Sequence, residues 1–282
     1  MIDTAIAVVV GAVVCATLWV AARSAFEAPS LVRTNYRGAP VVTSVGLMIP
    51  VTMVLLAGFS RIMLLLTRTA PAWDQLIGPA VAAATGFGLL GLLDDVAGEG
   101  QSGGFRGHLR ELARGHLTSG MIKLVGGAAL GVVVAQALAR GDDTVVGALR
   151  DGAVVALAAN TANLLDRAPG RAVKAAAVVF LGVALVSRSP TLAGPGVGVG
   201  AALGLLPDDL RERVMLGDAG ANPLGALVGL GALSAFPGDL ARWVLLGVLV
   251  ALNLLSEVVS FSTVIERVPP LRWFDRLGRL PA

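Results

Sequence analysis

Runs of apolar residues alternate along the chain with short charged stretches. Each run is close to the roughly 20 residues a helix needs to cross a bilayer. Nine can be drawn, over residues 2–22, 42–66, 76–93, 119–139, 144–162, 172–187, 190–206, 219–237 and 241–264. The pattern predicts an all-α, polytopic integral membrane bundle of about nine transmembrane helices, forming a single domain over 1–282. The first run has no basic stretch before it and ends at Arg23, so it reads as an uncleaved anchor rather than a signal peptide. The sixth and seventh are short, with only Ser187-Arg188-Ser189-Pro190 between them.

Composition supports the membrane assignment. The 282 residues are 55% hydrophobic and 15% charged, with a mean hydropathy of +0.79. Soluble domains carry about 25% charged residues. A soluble enzyme, a disordered chain and a nucleic-acid-binding domain are therefore excluded. The single cysteine, Cys15, leaves no basis for a disulfide framework or a cysteine metal site. The many glycines, including Gly196, Gly198 and Gly200, read as helix-packing positions.

The net charge of +3 matters through its distribution. Threading nine spans gathers Arg33 and Arg37, Arg106, Arg110 and Arg114, Arg167, Arg171 and Lys174, Arg211 and Arg213, and Arg267, Arg272, Arg276 and Arg279 on one side. Excess Lys and Arg mark the cytoplasmic side. The N-terminus is then outside and the C-terminus cytoplasmic. Trp73 and Trp243 fall near the outer interface, and Trp19 and Trp273 near the inner one. Residues 96–118 form a cytoplasmic loop in which Phe105, Leu109, Leu112 and Leu117 oppose three arginines, as in a short amphipathic basic helix lying on the anionic leaflet. Residues 266–282 are a basic cytoplasmic tail.

Arg150 and Asp151 stand near the outer end of the fifth segment, and the polar clusters that suggest chemistry fall on the opposite, basic side. Asp94-Asp95 closes the third segment. Adjacent carboxylates at a membrane-embedded helix end call for a counter-charge, and Mg²⁺ takes one or two carboxylates plus phosphate oxygens; a solvated helix end is the plainer reading. Asn160, Asn163 and Asp166 recur at three-residue spacing along one face of the fifth segment. They suit ribose, uracil or phosphate contacts, or simple polar packing between helices. Asp218, between Gly217 and Ala219-Gly220, opens the eighth segment either as a ligand-facing carboxylate or as an ordinary helix cap. Lys123 and Arg37 supply cations for phosphate or, for Lys123, for lipid headgroups. Glu257 falls within the ninth segment, and His108 and His116 lack metal-ligand spacing. A shared site should bring the carboxylates of Asp94, Asp95 and Asp218 within about 10 Å of one another.

The ordered set RTNYRGAPVV, LLGLLDD, TSGMIKL, NTANLLD and VMLGDAGANPLG resembles the polyprenyl-phosphate N-acetylhexosamine-1-phosphate transferases over about residues 30–230. That family includes bacterial undecaprenyl-phosphate GlcNAc-1-phosphate transferases and the phospho-MurNAc-pentapeptide translocase. The resemblance implies a Mg²⁺-dependent enzyme of the cell membrane, with Mn²⁺ as an alternative ion. It would transfer a sugar-1-phosphate from a UDP-N-acetylhexosamine to polyprenyl phosphate at the cytoplasmic face, releasing UMP for cell-wall glycan synthesis. It also implies catalytic and metal roles for Asp94, Asp95 and Asp218, and substrate contacts for Asn160, Asn163, Asp166, Lys123 and Arg37. Besides the two substrates, membrane lipids are expected partners, and a homodimer is compatible with the pattern. Three departures stand out. Arg167-Ala168-Pro169-Gly170-Arg171 lacks the second carboxylate that usually follows, at Pro169. Ala221 replaces a serine, and Glu266–Ala282 has no histidines where the family carries a histidine-rich loop. The alternative is a non-catalytic paralogue that binds lipid phosphate or nucleotide, or serves as a scaffold.

Overall fold

A computed structural model describes residues 1–35, 37–97, 114, 118–139 and 144–281. Nearly all of the ordered structure is helical. The long helices are α1 (Ile2–Ala22), α2 (Met48–Thr67), α3 (Ile77–Ala97), α4 (Ser119–Ala135), α5 (Val145–Leu165), α6 (Arg171–Ser187), α7 (Ala193–Leu210), α8 (Asp218–Ala235) and α9 (Asp239–Ser256). Two short helices, α10 (Phe261–Arg267) and α11 (Pro269–Arg276), follow. The expected amphipathic helix within 96–118 lies almost wholly outside the described residues.

Among the described residues, six stretches are both long and apolar enough to cross a membrane: Ile2–Phe26, Val45–Thr67, Ile77–Ala97, Ser119–Leu138, Val145–Leu165 and Asp239–Ser256. The chain is thus a membrane-embedded helical protein, with six such helices where nine spans were expected. α6, α7 and α8 differ because they are shorter, or are built from glycine, alanine and proline rather than from leucine and valine. Small residues lower hydropathy and permit close packing. Along α8, every residue from Ala219 to Leu227 is buried, so it runs through the interior with α3, α5, α6 and α7 packed around it. α1 lies along α7, and a β-carbon on Gly200 would stand 2.0 Å from the Val8 carbonyl oxygen. The glycines of α7 thus let two helix backbones touch.

Helix ends follow local chemistry. Thr118 caps α4 by accepting the Met121 N–H at 3.2 Å, and Thr144 caps α5 by accepting the Gly147 N–H at 3.1 Å. The ninth apolar run does not continue to 264. α9 ends at Ser256, and Glu257 sits exposed at its C-cap, not inside a span as its sequence position suggested.

Before α2, strands β1 (Val32–Thr34) and β2 (Pro40–Val42) form an antiparallel hairpin. The chain then runs beside 214–216, with Met215 N–H donating to the Val42 carbonyl at 2.7 Å and Gly46 N–H to the Leu216 carbonyl at 3.0 Å. This pairing anchors the turn that enters α8.

Candidate active site

Three helices end in aspartate at the same end of the bundle. Asp94 and Asp95 lie in the last turn of α3, Asp166 caps the C-terminus of α5, and Asp208 and Asp209 close α7. A helix C-terminus carries partial negative charge, so a carboxylate there is disfavoured by about 0.3–1 kcal/mol each. That repeated choice, against local preference, gathers five carboxylates at one end of the bundle. The start of α8, with Asp218, enters the same region.

Lys123 answers part of this charge. Ser119 and Lys123 are four apart on α4 and share a face. The Ser119 hydroxyl donates to Asp94 Oδ1 at 2.8 Å, and Lys123 Nζ donates to Asp94 Oδ2 at 3.4 Å. The same ammonium also contacts Asp218 Oδ2 in a close ion pair. Asn163 Nδ2 donates to Asp218 Oδ2 at 2.9 Å. Residues from α3, α4, α5 and α8 therefore converge. The side chains of Lys123, Asp94 and Asp218 keep 17%, 25% and 24% of their exposure, so the cluster is open to a ligand rather than sealed.

Asp95, though adjacent to Asp94, is used differently. Its Oδ1 accepts the Asp218 N–H at 3.0 Å, and its Oδ2 accepts the Ala219 N–H at 3.1 Å and the Ser44 hydroxyl at 2.8 Å. The first N–H groups of a helix lack internal partners; here a carboxylate from a neighbouring helix satisfies two of them. The approach is tight. A β-carbon on Gly91 would stand 2.2 Å from the Asp218 carbonyl oxygen, and one on Gly217 would stand 2.7 Å from Asp95 Oδ2. Gly217 has φ of +71°, a conformation that favours glycine. Ser44 is itself left-handed at φ +60° and fully buried, a strained backbone fixed by its bond to Asp95.

The expected polar stripe on α5 splits. Three residues advance a helix by 300°, so successive members are offset by about 60°. Asn163 reaches Asp218, whereas Asn160 donates to Asn253 Oδ1 on α9 at 2.6 Å. Asn253 in turn donates to the Thr161 hydroxyl at 2.9 Å. Asn160 is thus part of the polar packing between α5 and α9. Asp166 lies near the carboxylates of Asp209, Asp218 and Asp95; burial first, and then these like charges, push its carboxyl well above the usual carboxylate range. Arg37 stands apart: its Nε pairs with Glu212 Oε1 at 3.0 Å and its Nη2 donates to the Pro281 carbonyl at 2.9 Å. Arg33 reaches the site's edge, donating to the Asp95 carbonyl at 3.1 Å.

Several participants escaped the sequence reading. Ser44 and Ser119 give no signal as isolated serines. Asp208-Asp209 repeats the Asp94-Asp95 pattern and was legible. Asp208 holds the Trp19 indole N–H and the Arg23 guanidinium, each at 2.8 Å, while Asp209 Oδ2 accepts the Gly170 N–H at 3.0 Å. Asn222, one turn beyond Asp218 on α8, is 2% exposed, and neither of its amide atoms has a hydrogen-bond partner among the described residues.

No protein-family model matches the chain, and no curated protein is significantly similar to it.

Proposed function

We propose that this protein transfers a sugar-1-phosphate, of the N-acetylhexosamine class, from a UDP-sugar to a polyprenyl phosphate at the cytoplasmic face of the cell membrane, releasing UMP. The observation that carries this reading is the meeting of Asp94, Lys123, Asn163 and Asp218, from four helices, in a partly exposed cluster. The motifs that supply these residues are those whose order resembles the polyprenyl-phosphate transferases.

The chemistry asks little covalent work of the protein. An oxygen of the lipid phosphate attacks the β-phosphorus of the UDP-sugar and forms the new P–O bond. The bond from that phosphorus to the bridging oxygen breaks, and its electron pair leaves with UMP. The attacking oxygen is already anionic, so no general base is needed. What remains is positioning and charge neutralisation. Lys123 supplies a point charge for phosphate oxygens, Asn163 an amide that orients them, and Asp166 a half-buried carboxyl group beside the nucleotide sugar.

A divalent cation fits two of the three expected ligands. Asp94 and Asp218 already share one ammonium and retain solvent access, whereas both oxygens of Asp95 are committed to Ser44 and the start of α8. Among the described residues no three His, Cys, Asp or Glu side chains gather as a metal-binding group. Mg²⁺ needs only one or two carboxylates when substrate phosphates and water complete its shell, and Mn²⁺ could take the same place. Bound there, the ion would neutralise charge developing on the transferred phosphoryl group.

A non-catalytic binding protein is the second reading, favoured by the absence of a carboxylate in Arg167–Arg171. Exchange of labelled UMP into UDP-GlcNAc, with purified protein, undecaprenyl phosphate and Mg²⁺, separates the two. Metal-dependent exchange is the expected result. Absence of exchange with every UDP-N-acetylhexosamine, while a known transferase works in parallel, would leave only the binding reading.

A further inference from the structure

The C-terminal helical hairpin has two unlike faces. Its inner face is nailed to the corner between α5 and α6. Asp275, 4% exposed, accepts two bonds from Arg171, Nε to Oδ1 at 2.8 Å and Nη2 to Oδ2 at 3.1 Å. Arg279 donates to the Pro169 carbonyl at 2.9 Å, and Lys174 Nζ donates to the carbonyls of Phe274, Asp275 and Leu277. Bonds of this kind fix how α11 is turned. Its other face is correspondingly fixed outward and carries Trp273, 67% exposed, and Leu277, 50% exposed, with Arg272 and Arg276 on its flank; Leu271, four residues before Asp275, lies nearer the docked side and is 45% exposed.

Large apolar side chains are exposed on the preceding elements too: Leu254 and Leu255 at the end of α9 are 65% and 54% exposed, Val258 just beyond is 84%, and Val264 and Val268, leading into α11, are 38% each. α11 also sits where α6 begins, at the end of the membrane-spanning layer. An exposed tryptophan flanked by leucines and arginines, lying at such a boundary, matches the chemistry of a helix resting in a headgroup layer. A second copy of the chain is a poorer fit, because a two-fold contact through this face would bring arginine against arginine. Arg267, Arg272 and Arg276 are repelled by each other and attracted by anionic phosphates, and among the described residues only Arg276 has an acidic partner nearby, Glu266 at 2.8 Å.

We propose that α11 is a membrane-surface element, with Trp273 and Leu277 inserted among the headgroups of an anionic phospholipid leaflet and Arg267 and Arg272 against lipid phosphates. The buried Asp275–Arg171 pair holds it in that attitude.

The test uses the full chain in nanodiscs and the difference in tryptophan fluorescence between the wild type and Trp273→Phe. This isolates Trp273 while leaving Trp19, Trp73 and Trp243 in place. Phosphatidylglycerol brominated near the carboxyl end of its acyl chains should quench the difference signal, and aqueous iodide should not. In mixed bilayers, brominated phosphatidylglycerol should quench about two- to fivefold better than brominated phosphatidylcholine, and Arg272→Glu with Arg267→Glu should abolish that preference. Quenching by iodide but not by bromolipid would overturn the proposal. So would loss of a dimer in Trp273→Phe without any bromolipid quenching, which would assign the face to a second copy. Both variants lie on an outward face, and an unchanged melting temperature will show that they remain folded.

Discussion

Asp94 and Asp95 are neighbours with different tasks, and the difference is set by where their bonds go. Asp94 faces Ser119 and Lys123, while Asp95 caps α8 and fixes Ser44. Substitution should therefore separate activity from stability. Asp218→Asn removes a charge from the open cluster and should abolish UMP exchange while leaving the melting temperature nearly unchanged. Asp95→Ala strands two helix N–H groups and should cost about 1–3 kcal/mol per group left unpaired, seen in thermal unfolding in detergent. Asp166 makes the opposite trade. Its carboxyl is raised in the folded protein, so folding favours the protonated form. Its contribution is fully present below the ordinary carboxylate range and is lost as pH rises through the raised value. Asp166→Asn should then melt higher than the wild type at neutral pH, with the gap closing toward acid, and should lose exchange activity. Melting curves at several pH values check this; an unchanged gap would contradict the raised carboxyl. At this scale the sequence showed the unusual residues but not their partners. Asp95 and Asn160 looked like site residues because chain spacing does not tell which neighbouring helix a side chain will meet.

Elements were more legible than residues. Apolar runs marked the nine long helices among the described residues to within a few positions at most ends, since burial in lipid or in a bundle demands the same long apolar stretch. The errors have physical causes. The last run looked continuous to 264 because Val258, Val259, Phe261 and Val264 carry apolar positions past Glu257, yet the chain turns there and forms the terminal hairpin. The basic tail gave no hint that it docks, because Asp275 is a single carboxylate among arginines. It is also the residue on which docking rests. Asp275→Ala leaves Arg171 buried beside Lys174 without its carboxylate, a loss of about 3–5 kcal/mol that falls on the hairpin. Trypsin should then cut after Arg272 and Arg276 much faster than in the wild type, and equal cleavage rates would show that the pair does not hold α11.

The whole molecule has two polar ends of different character. At the end away from the candidate site, Arg150, Asp151 and Arg242 are buried together between α5 and α9, with Arg150 reaching Asp239 at 2.9 Å and its guanidinium 5.4 Å from the Trp243 ring centre. All three side chains are buried, so the network reads as a brace. Asp151→Leu should lower the melting temperature by leaving two buried guanidinium groups short of a partner, about 3–5 kcal/mol, with exchange activity per folded molecule unchanged. At the other end the charges are partly exposed and imperfectly balanced, at the C-termini of three helices that do not favour them. That contrast is why the candidate site is placed there. The most direct measurement is mass spectrometry of the lipid extracted after incubating purified protein with undecaprenyl phosphate, a UDP-N-acetylhexosamine and Mg²⁺. A lipid-linked sugar diphosphate should form with the wild type and be absent with Asp218→Asn or with chelator. Unmodified undecaprenyl phosphate in every sample, while a known transferase converts it under the same conditions, would contradict the enzyme.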